Sequence, residues 1–324
     1  MTSGTPRADD LAVAPSATAA PGRATTTRLT DLGVLGVAVV WGSTYVAMQE
    51  LGLVLSVAVF LALRFSLGAL LVTAAALRAP GRLTRLEVAL GAQFGVLLAA
   101  ILALETAGVR YTSASNSGFL IALSVLVVPL VERYVLRRHV PRTVYLCILL
   151  GIAGTGLLTL GSGVSIRSGD LIIIAAAAIR GVQIVMFGRR SGGAEISLLR
   201  VTAVELWVVG ALGLAVAAYT PADSVRQVGQ LDARGWAILI YLAVVATGFA
   251  FLMQLHAARV GSPTRVGIIL STEPIFAALC AIVLAGDRLS PLQWAGGLVV
   301  VAAVTAGRLV ERRSTAPVPG DPPA

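Results

Sequence analysis

Ten apolar runs, each about the length of a membrane span, follow one another along the chain with only short polar breaks between them. They cover residues 32–50, 54–77, 88–108, 113–136, 143–162, 170–188, 196–218, 235–258, 264–285 and 292–310. About 20 mainly apolar residues in a helix, at ~1.5 Å rise each, bridge the hydrocarbon core of a bilayer. In lipid every backbone polar group must be satisfied inside the protein, and a helix does this within its own segment. The runs therefore predict an all-α integral membrane protein with ten transmembrane helices. A charged share of 13% and a mean hydropathy of +0.88 agree, because a soluble chain of 324 residues needs a far more polar surface. Gly, Pro, Ser and Arg punctuate the short breaks, so successive helices should run antiparallel.

The two ends have a different composition. Residues 1–31 and 311–324 are dominated by Ser, Thr, Ala, Pro and Arg, bury too little apolar surface to offset ordering, and are read as disordered tails. The N-terminal stretch has no apolar core followed by a cleavage site, so it is not read as a signal peptide. Cys147 and Cys280 each fall inside an apolar run and are read as packing thiols rather than as a disulfide or a metal site. No cofactor and no metal is expected. There is no G-x-x-x-x-G-K-[ST] sequence to cradle a nucleotide, which argues against an ATP-driven pump. The longest internal loop, residues 219–234, leaves no room for a soluble catalytic domain.

Every one of the 25 basic residues is Arg, and the net charge is +9. The charges sit in short loops rather than on a basic domain, so a nucleic-acid partner is not expected. Counting Arg in alternate connections gives fifteen on the side of the N-terminus against five on the other. The positive-inside rule then places both termini in the cytoplasm, in a multi-pass protein of the cell inner membrane.

A shift of 149 residues lays Glu105–Cys147 over Gln254–Gly296 without a gap. Arg110 meets Arg259, Ser113 meets Ser262, Gly118 meets Gly267 and Leu130 meets Leu279. Identity is low, but the shift superposes spans three, four and five on spans eight, nine and ten. The chain therefore divides into a five-helix repeat over 32–162 and a second over 168–310. Five is odd, so the second repeat enters the membrane from the opposite side and the two form an inverted-topology pair. Two near-equivalent halves offer two packings of similar energy, one open to each side.

Several segments carry a family resemblance: "WGSTYVAMQ" in span one, "LALRFSLGALL" in span two, and "ETAGVRYTSASNSGFLIALSVLVVPL" across spans three and four. "GDLIIIAAA" opens span six, and "SPTRVGIILSTEPIFAALCAIVLAGDRLSPLQWAGG" runs across spans nine and ten. In order and spacing the chain resembles the EamA-type ten-helix members of the drug/metabolite transporter superfamily, over nearly all of residues 32–310. The resemblance implies a carrier of metabolites, amino acids or drugs, usually working outward, and names no particular substrate. Three positions depart from the family pattern. Asp287 stands where a Glu is usual, Arg138 occupies the equivalent acidic position in the first repeat, and Glu105 replaces a common Gln that Gln254 keeps.

A charged side chain near the bilayer centre costs at least ~2.5–3.5 kcal/mol on insertion scales, so each one needs a reason. Arg180 in span six and Glu205 in span seven are both placed ~13 Å deep by helical rise, and as they lie on antiparallel neighbours an ion pair between them is geometrically open. Arg180, with Gln183 one turn along, either holds an anionic group of the cargo or fixes helix register with Glu205. Glu273 and Pro274 lie near the middle of span nine. Pro274 frees the carbonyl of Leu270 and should kink the helix; in span four Ser124 and Val125 stand at the repeat positions of Glu273 and Pro274, and Pro129, a second kink candidate, comes one turn later. Glu273 either accepts a cation or proton or ties helices together. Arg64, in the middle of span two, is read as buried against a carboxylate such as Glu105 or Glu132, or as facing a water-filled cavity. Trp41, Tyr45 and Gln49 share one face of span one, as an aromatic cavity wall or as ordinary packing. Asn116 contacts cargo or bonds a neighbouring helix. Lone His256 is read as interfacial. Gln254 completes the candidate pathway.

The function these residues support is secondary active transport of a small solute by alternating access, coupled to protons or to exchange. The partners expected are that solute and membrane lipid. The alternatives are an intramembrane enzyme acting on lipid and a channel.

Overall fold

The computed structural model describes residues 21–135, 137, 142–161, 167–191, 195–260 and 263–315, and those residues are helical apart from short connections. The first half comprises α1 (Pro21–Leu51), α2 (Val57–Arg78), α3 (Arg85–Gly108), α4 (Ala114–Ile121), α5 (Ser124–Tyr134) and α6 (Arg142–Gly161). The second comprises α7 (Ser168–Ser191), α8 (Leu198–Ala217), α9 (Pro221–Gly229), α10 (Ala233–Ile240), α11 (Ala250–Val260), α12 (Pro263–Leu270), α13 (Glu273–Cys280) and α14 (Pro291–Thr315). A π-helical stretch, Tyr241–Phe249, joins α10 to α11, and another, Ala281–Ala285, follows α13. Seven of the described helical segments are long and apolar enough to cross a membrane, and three shorter apolar helices accompany them.

The helix ends differ from the hydropathy reading in three places. α1 begins at Pro21, inside the segment 1–31 read as a tail, because proline's fixed φ suits a helix's first turn. α14 runs on to Thr315, into the segment 311–324, through a Leu, Glu and Arg sequence of good helix formers. The loop 219–234 holds the short helix α9. It starts with Pro221, carries Asp223 in its first turn, and is braced by the Asp223–Arg226 ion pair at 2.9 Å. Gln227 Oε1 on α9 accepts from the Ser56 amide, and Ser56 itself caps α2, so α9 covers the start of that helix.

Spans four and nine are interrupted at equivalent places. The break in span four falls at Ala122–Leu123, not at Pro129, which lies inside α5. The break in span nine falls at Ser271–Thr272, directly before Glu273 and Pro274. The same bonds close both breaks. Leu126 N donates to Leu123 O and Val127 N to the same carbonyl at 3.3 Å, as Ile275 N and Phe276 N donate to Thr272 O, the second also at 3.3 Å. Only one of the two breaks has a proline beside it, so proline does not cause the motif.

The helices pack in matched pairs. α2 lies along α8 and α6 along α14, while α1 packs on α13 and α7 on α5. Small residues make the close contacts, as lipid-embedded helices require. A Cβ on Gly42 would meet the Ala277 amide nitrogen on α13 at 2.6 Å, and one on Gly181 would meet Ser124 O at the start of α5 at 2.8 Å. α3 is flanked by α7 on one side and α8 on the other.

Candidate functional site: an ionic cluster between the halves

α1 delivers three polar side chains four residues apart, and each is tied to another helix. Trp41 Nε1 donates to Ala246 O in the π-helical stretch at 2.9 Å, and its ring meets Phe251 edge-on at 5.8 Å. The Tyr45 hydroxyl donates to Glu273 Oε1 at 3.1 Å. Gln49 Nε2 donates to the carbonyls of Val109 and Thr112 at 3.0 and 2.8 Å, closing the turn after α3. Of the three, Tyr45 reaches the ionic cluster, Trp41 anchors the π-helical stretch, and Gln49 fastens a turn.

Arg180 does not pair with Glu205. Its Nη2 donates to Glu105 Oε1 at 2.5 Å. The depth of both residues follows from helical rise, but their partners follow from packing. α8 packs against α2 and α3, and α7 packs against α3 and α5, so α3 supplies the carboxylate. Gln183, one turn along, also faces α3 and donates to Phe94 O at 3.1 Å. Glu205 is half-buried, close to Gly95 of α3, with no hydrogen bond or ion pair among the described residues.

Tyr45 lies within electrostatic reach of Glu273, Glu105 and Arg180, and Arg180 within reach of Glu105, Tyr45 and Glu273. Side chains of α1, α3, α7 and α13 thus converge on one polar cluster. Within it the Glu105 side chain is 6% accessible, yet Arg180 keeps 33% of its side chain accessible. Among the described residues, Arg180 Nε is buried with no hydrogen-bond partner, as is Asn116 Oδ1 on α4. Buried polar atoms are almost always paired, so each of these orphans is a point where a solute or water can complete the structure.

Arg64 sits beside this cluster, 6% exposed. It forms no ion pair with Glu105 or Glu132. Its Nε donates to Thr247 Oγ1 at 3.1 Å, and its guanidinium lies 5.0 Å from the Phe65 ring centroid and 5.7 Å from that of Phe60. Thr247 Oγ1 in turn donates to Leu242 O, five residues back, at 2.9 Å. That span of five is the π-helical repeat, a distortion frequent at functional sites. Gln254, half-buried on α11, makes no hydrogen bond among the described residues.

Some ties have no forerunner in the reading of polar residues. Tyr241 OH and Ser43 Oγ lie 2.7 Å apart. Asp287 Oδ2 accepts from Ser115 Oγ at 2.8 Å, holding the end of span nine to the start of α4. Glu87, fully buried, accepts from Arg200 Nε and Nη2, both at 2.9 Å, and from the Ser197 and Thr84 amides. One signal was present: Thr84-x-x-Glu87 is a capping box, and the structure forms it. Nothing in the order of residues pointed to Tyr241 or Thr247, which sit inside an unbroken apolar run.

Residues 28–160 and residues 167–306 each match the EamA-like transporter family. A protein of Archaeoglobus fulgidus described as an uncharacterized transporter is 24% identical over 274 residues, spanning 85% of this chain and 84% of that protein. A protein of known crystal structure superposes with a TM-score of 0.57 over 90% of this chain and 99% of its own, at 16% identity, which is a likeness of fold alone. With two family matches that cover most of its length and several helices apolar enough to cross a bilayer, this is a multi-pass membrane protein, and it belongs to the EamA-like transporter family.

Proposed function

We propose that the chain is a secondary active transporter, exporting a small organic solute by alternating access around the Tyr45, Glu105, Arg180 and Glu273 cluster. The observation that carries this reading is the Arg180–Glu105 ion pair, which joins the two family-matched stretches while leaving part of Arg180 accessible. The neighbouring ties cross the same boundary: Tyr45 to Glu273, Arg64 to Thr247, Trp41 to Ala246 and Ser43 to Tyr241. If one half rocks against the other, these are the contacts that break and reform.

The architecture proposed is ten spans in two inverted five-helix repeats. Seven long and three shorter apolar helices make ten, with five inside each family match. The matched breaks before Ser124 and Glu273, and the exchange of partners between α1·α13 and α7·α5, are what a two-fold relation between the halves predicts. The excess of Arg in alternate loops supports cytoplasmic termini in the cell inner membrane. Glu273, bonded to Tyr45 at the cluster, is the proposed group for coupling to protons or to exchange.

The test is counterflow in proteoliposomes with a panel of labelled metabolites. Saturable counterflow that needs no ATP supports the carrier, and Glu273→Gln should lose its dependence on a pH gradient. Flux that never saturates would make the protein a channel. Conversion of a lipid without any gradient would make it an enzyme.

A further inference from the structure

Arg64 is the guanidinium of the cluster that has no carboxylate bonded to it. Glu105 is the carboxylate within its electrostatic reach, with the hydroxyls of Tyr45 and Tyr241, but the Glu105 oxygen is bonded to Arg180. Glu273, the second carboxylate of the cluster, lies within reach of Arg180 and is bonded to Tyr45, so neither carboxylate is bonded to Arg64. The rings of Phe60 and Phe65 soften the desolvation of Arg64 by cation–π attraction but bring no negative charge. An arginine keeps its proton, so its unbonded nitrogens keep their demand for an acceptor. Thr247 occupies Nε, so the edge left without a partner among the described residues is the pair of terminal nitrogens, Nη1 and Nη2. That edge presents two parallel N–H donors at the spacing of a carboxylate's two oxygens.

We propose that Arg64 is a carboxylate-binding subsite, engaging a monoanionic carboxylate of the cargo end-on through Nη1 and Nη2 while Thr247 holds Nε. A carboxylate's two oxygens suit the one guanidinium of the cluster that has no bonded carboxylate, and a phosphate dianion would bring one charge more. Phe60 and Phe65 at the guanidinium face favour an apolar or aromatic body behind the carboxylate. This assignment rests on the reading of the central cluster as the transport pathway.

The test uses the purified full-length chain titrated calorimetrically with benzoate, with benzamide as its uncharged near-isostere, and with inorganic phosphate. Benzoate should bind at least ten times more tightly than benzamide and more tightly than phosphate. Arg64→Gln should remove that tenfold preference. Arg64→Lys, which keeps the charge and loses the paired edge, should retain only part of it and serves where the Gln variant does not fold. The proposal is overturned if the wild-type chain does not discriminate benzoate from benzamide at millimolar concentrations, if phosphate binds more tightly, or if a folded Arg64 variant binds benzoate as the wild type does. Benzoate counterflow separates the two readings. Binding that needs Arg64 without any counterflow keeps the subsite and removes the carrier, whereas counterflow indifferent to Arg64 does the reverse.

Discussion

Arg180 Nη2 and Glu105 Oε1 meet at 2.5 Å, joining α7 to α3 across the boundary between the two family-matched stretches. The contact settles a choice that helical depth leaves open. Glu205 lies at similar depth on α8, the next helix in the chain, but α7 is packed against α3 instead. α7 and α8 each pack against α3, so neighbours in sequence are not partners in space.

Removing one member of that pair strands the other. Glu105→Gln or Arg180→Gln alone should lower stability by about 1–3 kcal/mol, less than for a fully dry pair because Arg180 is partly accessible. The double variant should regain most of that loss. Thermal melting in detergent reads stability, and counterflow should stay abolished in all three proteins. Normal flux in the double variant would reduce the pair to a structural role.

Tyr45→Phe deletes one hydroxyl and the bond to Glu273 while keeping the ring. The stability change should stay near about 1 kcal/mol, the net worth of one hydrogen bond. Transport should fall much further than the melting temperature. Flux that remains within twofold of the wild type would separate Tyr45 from the mechanism.

Gly42 and Gly181 make matched contacts in the two halves, each against the backbone of an interrupted span. Backbone cannot swing aside as a flexible side chain does. Gly42→Ala and Gly181→Ala should therefore each destabilise by about 1–3 kcal/mol, the usual cost of overpacking. Melting curves of the two variants should shift by similar amounts. A shift at one site alone would argue against a two-fold relation between the halves.

Glu87→Ala leaves Arg200 and two amides without their acceptor at the ends of α3 and α8. The expected loss is about 3–5 kcal/mol, as for breaking a buried pair. Arg200→Ala should cost somewhat less, because Glu87 keeps its bonds to the Thr84 and Ser197 amides. The cargo preference of transport, measured on whatever folded protein remains, should not change, because this cluster joins helix ends and takes no part in the central one.

The membrane class, the positions of the apolar helices and the duplication of the chain are all legible along the sequence. They depend on local composition and on a repeat, properties that a single pass along the residues measures. The capping box at Thr84–Glu87 belongs to the same category, since both partners lie within one turn. Charge in an apolar run is conspicuous, so the ionic candidates can be picked out along the sequence. Arg64, Glu105, Arg180 and Glu273 stand out for that reason and Tyr45 for its place with Trp41 and Gln49 on one face of span one, and the fold draws the five together.

Pairing was another matter. That Arg180 bonds Glu105 across 75 positions, that Arg64 rests on Thr247 rather than on a carboxylate, and that span four breaks at Ala122–Leu123 instead of at Pro129 were decided by packing. Helical rise sets how deep a side chain lies, but the direction it faces depends on which helices close around it. Between apolar helices that choice turns on small residues and shape rather than on any pattern of polarity, because lipid removes the contrast that marks an inner face in water. The order of residues therefore carries depth and charge, and the assembled bundle supplies direction and partner.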